Sequence, residues 1–316
     1  MSQVKIVRCF DRYCSQLNDV GLEPIKSKEV QRVPIDAIGL DHRHSRERAG
    51  DNAEVVMVAW EVDVVGAIEA VSAVASLWIL CWSPPPENES YHSSYALRPS
   101  PTVFKHLFYV CCLVSFVAVL VANIWETDGS CMNSYAVWAF SLQILYWSWS
   151  LQDPKCTSRG RLILFDVVFP VSMFISLVVW LGLYPMAGDT RNDLYWNWIS
   201  WSQHGLNTAL LVVEFLWSDT RSVGWSTGAW VVLFPTTYAI YAWVLHSSHP
   251  QSPWMYTFLR VDDPAAPFWY IMLLALHVGL FAVVSCMAAC KVRAIEQTPE
   301  RIHLLARDNH LQIRTY

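Results

Sequence analysis

A chain of 316 residues that is 54% hydrophobic, only 16% charged and carries a net charge of −5 has too little polar surface for a soluble domain of its size. The modest acidic balance leaves no basic footprint for nucleic acid, and the nine cysteines show no metal-ligand spacing with histidine and no disulfide framework. Apolar runs separated by short polar loops fit a bilayer instead, and the class expected is an all-α polytopic transmembrane helix bundle.

Residues 1–53 are polar and mixed in charge, and read as a loosely structured cytoplasmic tail. Residues 1–50 hold no apolar core of a secretory signal. An apolar segment and a Pro-rich linker occupy 54–103. From Val64 to Trp82 the run is broken only by Gly66, Glu69, Ser72 and Ser76. Those four fall on one narrow helical stripe. The stripe is either a packing face inside a membrane or the polar face of a helix lying in the interface. Whether this segment spans is left open by the sequence, and Pro84, Pro85 and Pro86 end it.

A six-helix membrane domain is expected over 104–290, with spans near 104–124, 135–151, 162–183, 198–217, 229–245 and 268–290. Each approaches the roughly 20 residues that cross a bilayer. A C-terminal tail, 291–316, follows. Arg98, Lys105, Lys155, Arg159, Arg161, Arg221, Lys291, Arg293, Arg301, Arg307 and Arg314 fall on one side of these spans, against Arg191 and Arg260 on the other. The richer side is expected to be cytoplasmic, with both termini there for six spans; a further span at 64–82 would move the N-terminus outside. Trp125, Trp138, Trp196, Trp198, Trp217, Trp225, Trp254 and Trp269 sit near expected helix ends, where an indole prefers the headgroup region.

Ionisable residues at membrane depth are costly and mark candidate sites. They are Asp166, His204, Glu214, His246 and His277. His204, Asn207 and Thr208 share one face of the fourth segment, and Glu214 lies on an adjoining face. This polar stripe is either a reactive or ligand-binding site centred on His204 or interhelical hydrogen bonding that fixes packing. Asp166 reads as an ion-pair partner of Arg161. His246 sits near the outer surface, and His277 has no partner visible in sequence. Pro170 and Pro235 read as helix kinks. Asn88-Glu89-Ser90 matches a glycosylation acceptor on the side read as cytoplasmic, and Cys286 and Cys290 could carry palmitate.

Four stretches in order carry a resemblance: Phe169-Pro170-Val171-Ser172-Met173-Phe174, then Gln203-His204-Gly205-Leu206-Asn207-Thr208, then Trp243-Val244-Leu245-His246, then Trp254-Met255-Tyr256-Thr257-Phe258-Leu259. Together they resemble the androgen-induced integral membrane protein family and the related Rolling stone-like proteins, over about residues 105–290. The resemblance implies six helices with both termini cytoplasmic. In some members it implies hydrolysis of fatty acid esters of hydroxy fatty acids by a hydroxyl nucleophile and an assisting histidine. The family's second motif histidine is replaced here by Asn207, which cannot serve as a base near neutral pH. His204 stays, and the family threonine falls near Ser141 or Leu142.

The expected function is therefore a non-catalytic membrane protein acting in adhesion, fusion or signalling. The alternative is an intramembrane fatty-acyl ester hydrolase using Ser141 and His204. Tyr256 joins His246 as an outer-face candidate. No cofactor or metal is expected. The expected partners are membrane lipids, with a lipid ester or a membrane protein as further candidates, in the endoplasmic reticulum or plasma membrane.

Overall fold

In hydrocarbon a backbone N–H has only its own helix to donate to, so every apolar segment of this chain is under pressure to be helical. The computed structural model describes residues 43–83, 102–154, 158–187, 195–217, 224–249 and 254–296. Residues 1–42, the Pro84–Pro86 run, the Asn88 sequon, Arg98, Lys155, Arg191, Arg221 and the tail from 297 lie outside the described residues.

Seven helical rods make up the described chain. They are α1 (Arg43–Trp82), α2 (Thr102–Glu126), α3 (Tyr135–Gln152), α4 (Arg159–Leu177), α5 (Trp198–Trp217, in three stretches), α6 (Gly228–Ser248) and α7 (Ala266–Glu296). Helix α1 begins ahead of residue 53, within the stretch read as a tail. Helix α4 continues through a π-turn, Val178–Leu183, into Tyr184–Met186. Helix α5 contains a second π-turn, Ser202–Leu206, between Trp198–Trp201 and Asn207–Trp217. Its start is capped by the Asn197 side chain, which accepts from the Ser200 N–H at 2.8 Å. A left-handed Gly129, φ 82°, turns the chain after α2 into a short 3-10 turn, Ser130–Asn133.

Among the described residues five helical segments are long and apolar enough to cross a membrane: Trp60–Trp82, Val103–Glu126, Arg159–Met186, Trp225–Ser248 and Ala266–Lys291. This differs from the six spans expected. The segment whose crossing the sequence left open qualifies, whereas the second and fourth expected spans, now α3 and α5, do not. Helix α3 has 18 residues with Gln143 and three serines among them, and α5 carries Ser202, Gln203, His204, Asn207 and Thr208 in its first half.

Along α1, Glu61, Val65, Glu69 and Ser76 are buried while Val71, Val74 and Trp78 are exposed. The buried stripe packs on α6 and α7. This is the packing face of a bundle helix, because a polar stripe at an interface would face water. Helix α4 is central: two-thirds of its spanning window (67%) is buried, against 17–28% for the other four. It touches two apolar clusters. One, around Tyr109, Phe116, Trp147 and Phe165, sits toward the end bearing Arg161 and Lys291. The other, around Tyr135, Phe174, Tyr238 and Tyr270, sits toward the opposite end.

Candidate functional site

The polar residues of the fourth expected span divide among three environments. Glu214 belongs to the basic end. Its Oε1 is 2.7 Å from Arg161 Nη2, with both side chains essentially unexposed. Tyr109 and Tyr146 donate to the same oxygen at 3.0 and 3.2 Å. Arg161 also donates from Nε to Ser150 Oγ at 2.9 Å and from Nη1 to the Asp153 carbonyl at 2.5 Å. Lys291 reaches across to the Phe215 carbonyl near the end of α5, where a cation is favoured. A buried charge is tolerable only when paired and hydrogen-bonded, and this one is. The expected Asp166–Arg161 pair does not form. Five residues along a helix turn side chains about 140° apart, and Asp166 instead accepts from Thr227 Oγ1 at 3.3 Å.

Asn207 and Thr208 form the second environment. Thr208 Oγ1 lies 2.6 Å from Ser172 Oγ and 2.7 Å from Ser176 Oγ, both on α4. Asn207 Oδ1 accepts from the Thr208 N–H at 2.7 Å. Here the polar stripe acts as interhelical hydrogen bonding, the second of the two readings of its spacing.

His204 belongs to the third environment, a cavity of about 210 Å³ between α1, α3, α4, α5, α6 and α7. The two π-turns meet beside it: Trp180 Nε1 donates to the His204 carbonyl at 2.7 Å. A π-turn shifts a helix out of its i→i−4 pattern, and this indole takes up a carbonyl within the turn. The cavity walls are mostly apolar, with Glu69, His204 and His277 among them. His277 Nδ1 lies 2.7 Å from the Leu273 carbonyl. A carbonyl only accepts, so Nδ1 carries the proton, and the bare Nε2 accepts from Tyr135 Oη at 2.8 Å. The ring stacks on Phe174 with centroids 3.8 Å apart.

Four lining tyrosines commit their hydroxyls to the protein. Tyr135 donates to His277; Tyr238 donates to the Asn133 carbonyl at 2.8 Å. Tyr256 shares a hydrogen with Ser134 Oγ at 3.0 Å. Tyr270 donates to the Leu259 carbonyl at 3.0 Å and accepts from Trp243 Nε1 at 2.7 Å. Two buried polar atoms on the wall stand without a partner among the described residues: Glu69 Oε2 and His204 Nδ1. Buried polar atoms are nearly always satisfied, so two orphans in one cavity call for an explanation.

The remaining candidates fall apart from this group. Ser141 Oγ donates to the Val137 carbonyl at 2.8 Å within its own helix. It does not line the cavity that His204 lines, and no hydrogen bond joins the two among the described residues. His246 stacks on Trp254 with centroids 4.3 Å apart, away from the cavity wall. Tyr256 does line the cavity. Sequence reasoning weighed Glu69 only as part of a stripe and left His277 unpartnered. The signal for both was burial depth, which a lone sequence does not carry.

Comparison with protein-family models, with curated proteins and with solved structures returns no match for this chain.

Proposed function

We propose that this is an integral membrane protein that binds a small apolar-bodied molecule in the cavity bordered by Glu69, His204 and His277, and that it acts through binding and signalling rather than through catalysis. The observation that carries this reading is the cavity itself: apolar walls with two unsatisfied polar atoms, Glu69 Oε2 and His204 Nδ1. Binding sites have this composition, a hydrophobic lining with a few convergent polar groups. Ester hydrolysis by Ser141 and His204 is the weaker reading, because a hydroxyl nucleophile must be within reach of its base and Ser141 is engaged with Val137. Kinship with the androgen-induced and Rolling stone-like proteins is part of the same proposal and rests on the four ordered motifs.

The native ligand can be sought without knowing it. Native mass spectrometry of the protein extracted from its own membrane in mild detergent is expected to show a small-molecule adduct. Ala239 is buried on the cavity wall, and Ala239→Trp should fill the space and remove the adduct. An adduct unaffected by that substitution would place the ligand elsewhere.

The topology proposed is seven crossings, with α3 and α5 completing the set. Helix α1 places Glu69 in the cavity near Tyr256 and Leu259, and it also packs on the 3-10 turn Trp225–Thr227 at the basic end. It therefore runs the length of the bundle. With Arg159, Arg161, Lys291 and Arg293 cytoplasmic, the N-terminus is outside and the cavity lies in the outer half. Epitope tags before residue 43 and after residue 316 should be accessible from opposite sides of sealed cells; access from one side only would return the count to six.

A further inference from the structure

Beyond its position, the cavity has a definite charge and donor pattern. Glu69 is 4% exposed, on the face of α1 turned into the bundle. Its Oε2 has no partner among the described residues. An orphan carboxylate oxygen on the wall, with no lysine or arginine among the described residues lining the cavity, is complementary to a group with several N–H donors and a positive charge.

We infer that the cavity takes an organic amine, a primary or secondary ammonium on a small apolar body, held by Glu69. This rests on the binding reading above and deepens it.

The other ligand classes fit less well. A carboxylate or phosphate would enter a wall that offers Glu69 and, among the described residues, no lysine or arginine, so like charges would meet in a medium of low dielectric. An alcohol could donate one hydrogen bond to Glu69 but would leave the carboxylate charge unbalanced. A plain hydrocarbon would leave Glu69 Oε2 and His204 Nδ1 unpaired. The tyrosines point the same way. Tyr135, Tyr238, Tyr256 and Tyr270 have committed their hydroxyls to protein partners, so what they bring to a ligand is aromatic ring, which attracts cations. His204 Nδ1 remains for a polar substituent on the ligand body.

Size narrows the body. A cavity of about 150 Å³ accepts benzene. At about 210 Å³ this one has room for a six-membered ring with a short tail. Three isosteres share that shape and differ only in the head: 2-phenylethylamine, 2-phenylethanol and phenylacetate.

The test is isothermal titration of the purified full-length protein in detergent at neutral pH with each of the three. The amine is expected to bind at least tenfold more tightly than the alcohol, with phenylacetate weakest. Glu69→Gln should abolish the preference for the amine while retaining alcohol binding, which shows that the cavity persists. Glu69→Asp keeps the charge and should keep the preference. Alcohol binding equal to or tighter than amine binding, lost in Ala239→Trp, overturns the amine assignment and leaves the cavity-binding reading standing. A preference that survives Glu69→Gln likewise overturns it. Binding of none of the three removes both the assignment and the reading on which it rests.

Discussion

Arg161→Met is expected to destabilise the protein by about 3–5 kcal/mol, because removing one member of a buried pair strands the other charge. Glu214 would remain about 1% exposed, with only the Tyr109 and Tyr146 hydroxyls donating to it. Glu214→Leu alone should cost a similar amount, since the guanidinium then loses the Glu214 carboxylate it pairs with inside an apolar cluster. The double variant Arg161→Met/Glu214→Leu should recover most of that loss, as apolar replacements of buried pairs often do. Chemical unfolding in detergent, followed by tryptophan fluorescence, measures all three. If the double variant lost the sum of the two singles, the residues would not be coupled and the cluster would not be a unit.

His277→Ala is expected to cost about 3 kcal/mol, combining a lost core side chain with a lost hydrogen bond. His277 is 1% exposed. Its removal takes away the stacking partner of Phe174 and leaves the Tyr135 hydroxyl without its acceptor inside the bundle. Tyr135→Phe, which removes only the donor and leaves Nε2 unpaired, should cost about 1–2 kcal/mol by the same reasoning. The order of the two losses is the check: Tyr135→Phe costing more than His277→Ala would mean that the imidazole contributes little packing.

How much of this was legible in the sequence depends on the range of each interaction. The helical stripe of Glu69 and Ser76 was readable from spacing alone, because both facing and spacing are properties of one helix. Whether that helix packs in a bundle was not readable, because its partners on α6 begin more than a hundred and fifty residues later. The same distance hid the cluster at the basic end. Arg161 was assigned to Asp166, its neighbour in sequence, whereas Glu214 is 53 residues away. Tyr135 and His277 are 142 residues apart. The phase of His204 relative to Glu214 was read at a uniform α-helical turn per residue. The π-turn Ser202–Leu206 breaks that uniformity between them, so His204 faces the cavity while Asn207 and Thr208 face α4. The six expected spans and the five qualifying helices differ for a related reason. Hydropathy separates α1 from α3 only by composition, and composition does not say which of two helices a bundle encloses.

The paired π-turns have a consequence for how this segment can change over generations. Each turn accommodates the wider i→i+5 spacing, and the indole of Trp180 ties the two together. Deleting one residue from Ser202–Leu206 would restore regular winding and rotate Trp198–Trp201 by about 100° against Asn207–Trp217. That rotation would carry Trp201 off its contact with Trp180 and swing His204 away from its cavity. Point exchanges in this stretch alter one side chain at a time, whereas an insertion or deletion reorients a whole half-helix. Sequence length here should therefore be held more tightly than residue identity, and single-codon deletions scanned across 198–210 should lose folded protein more often than alanine substitutions at the same positions.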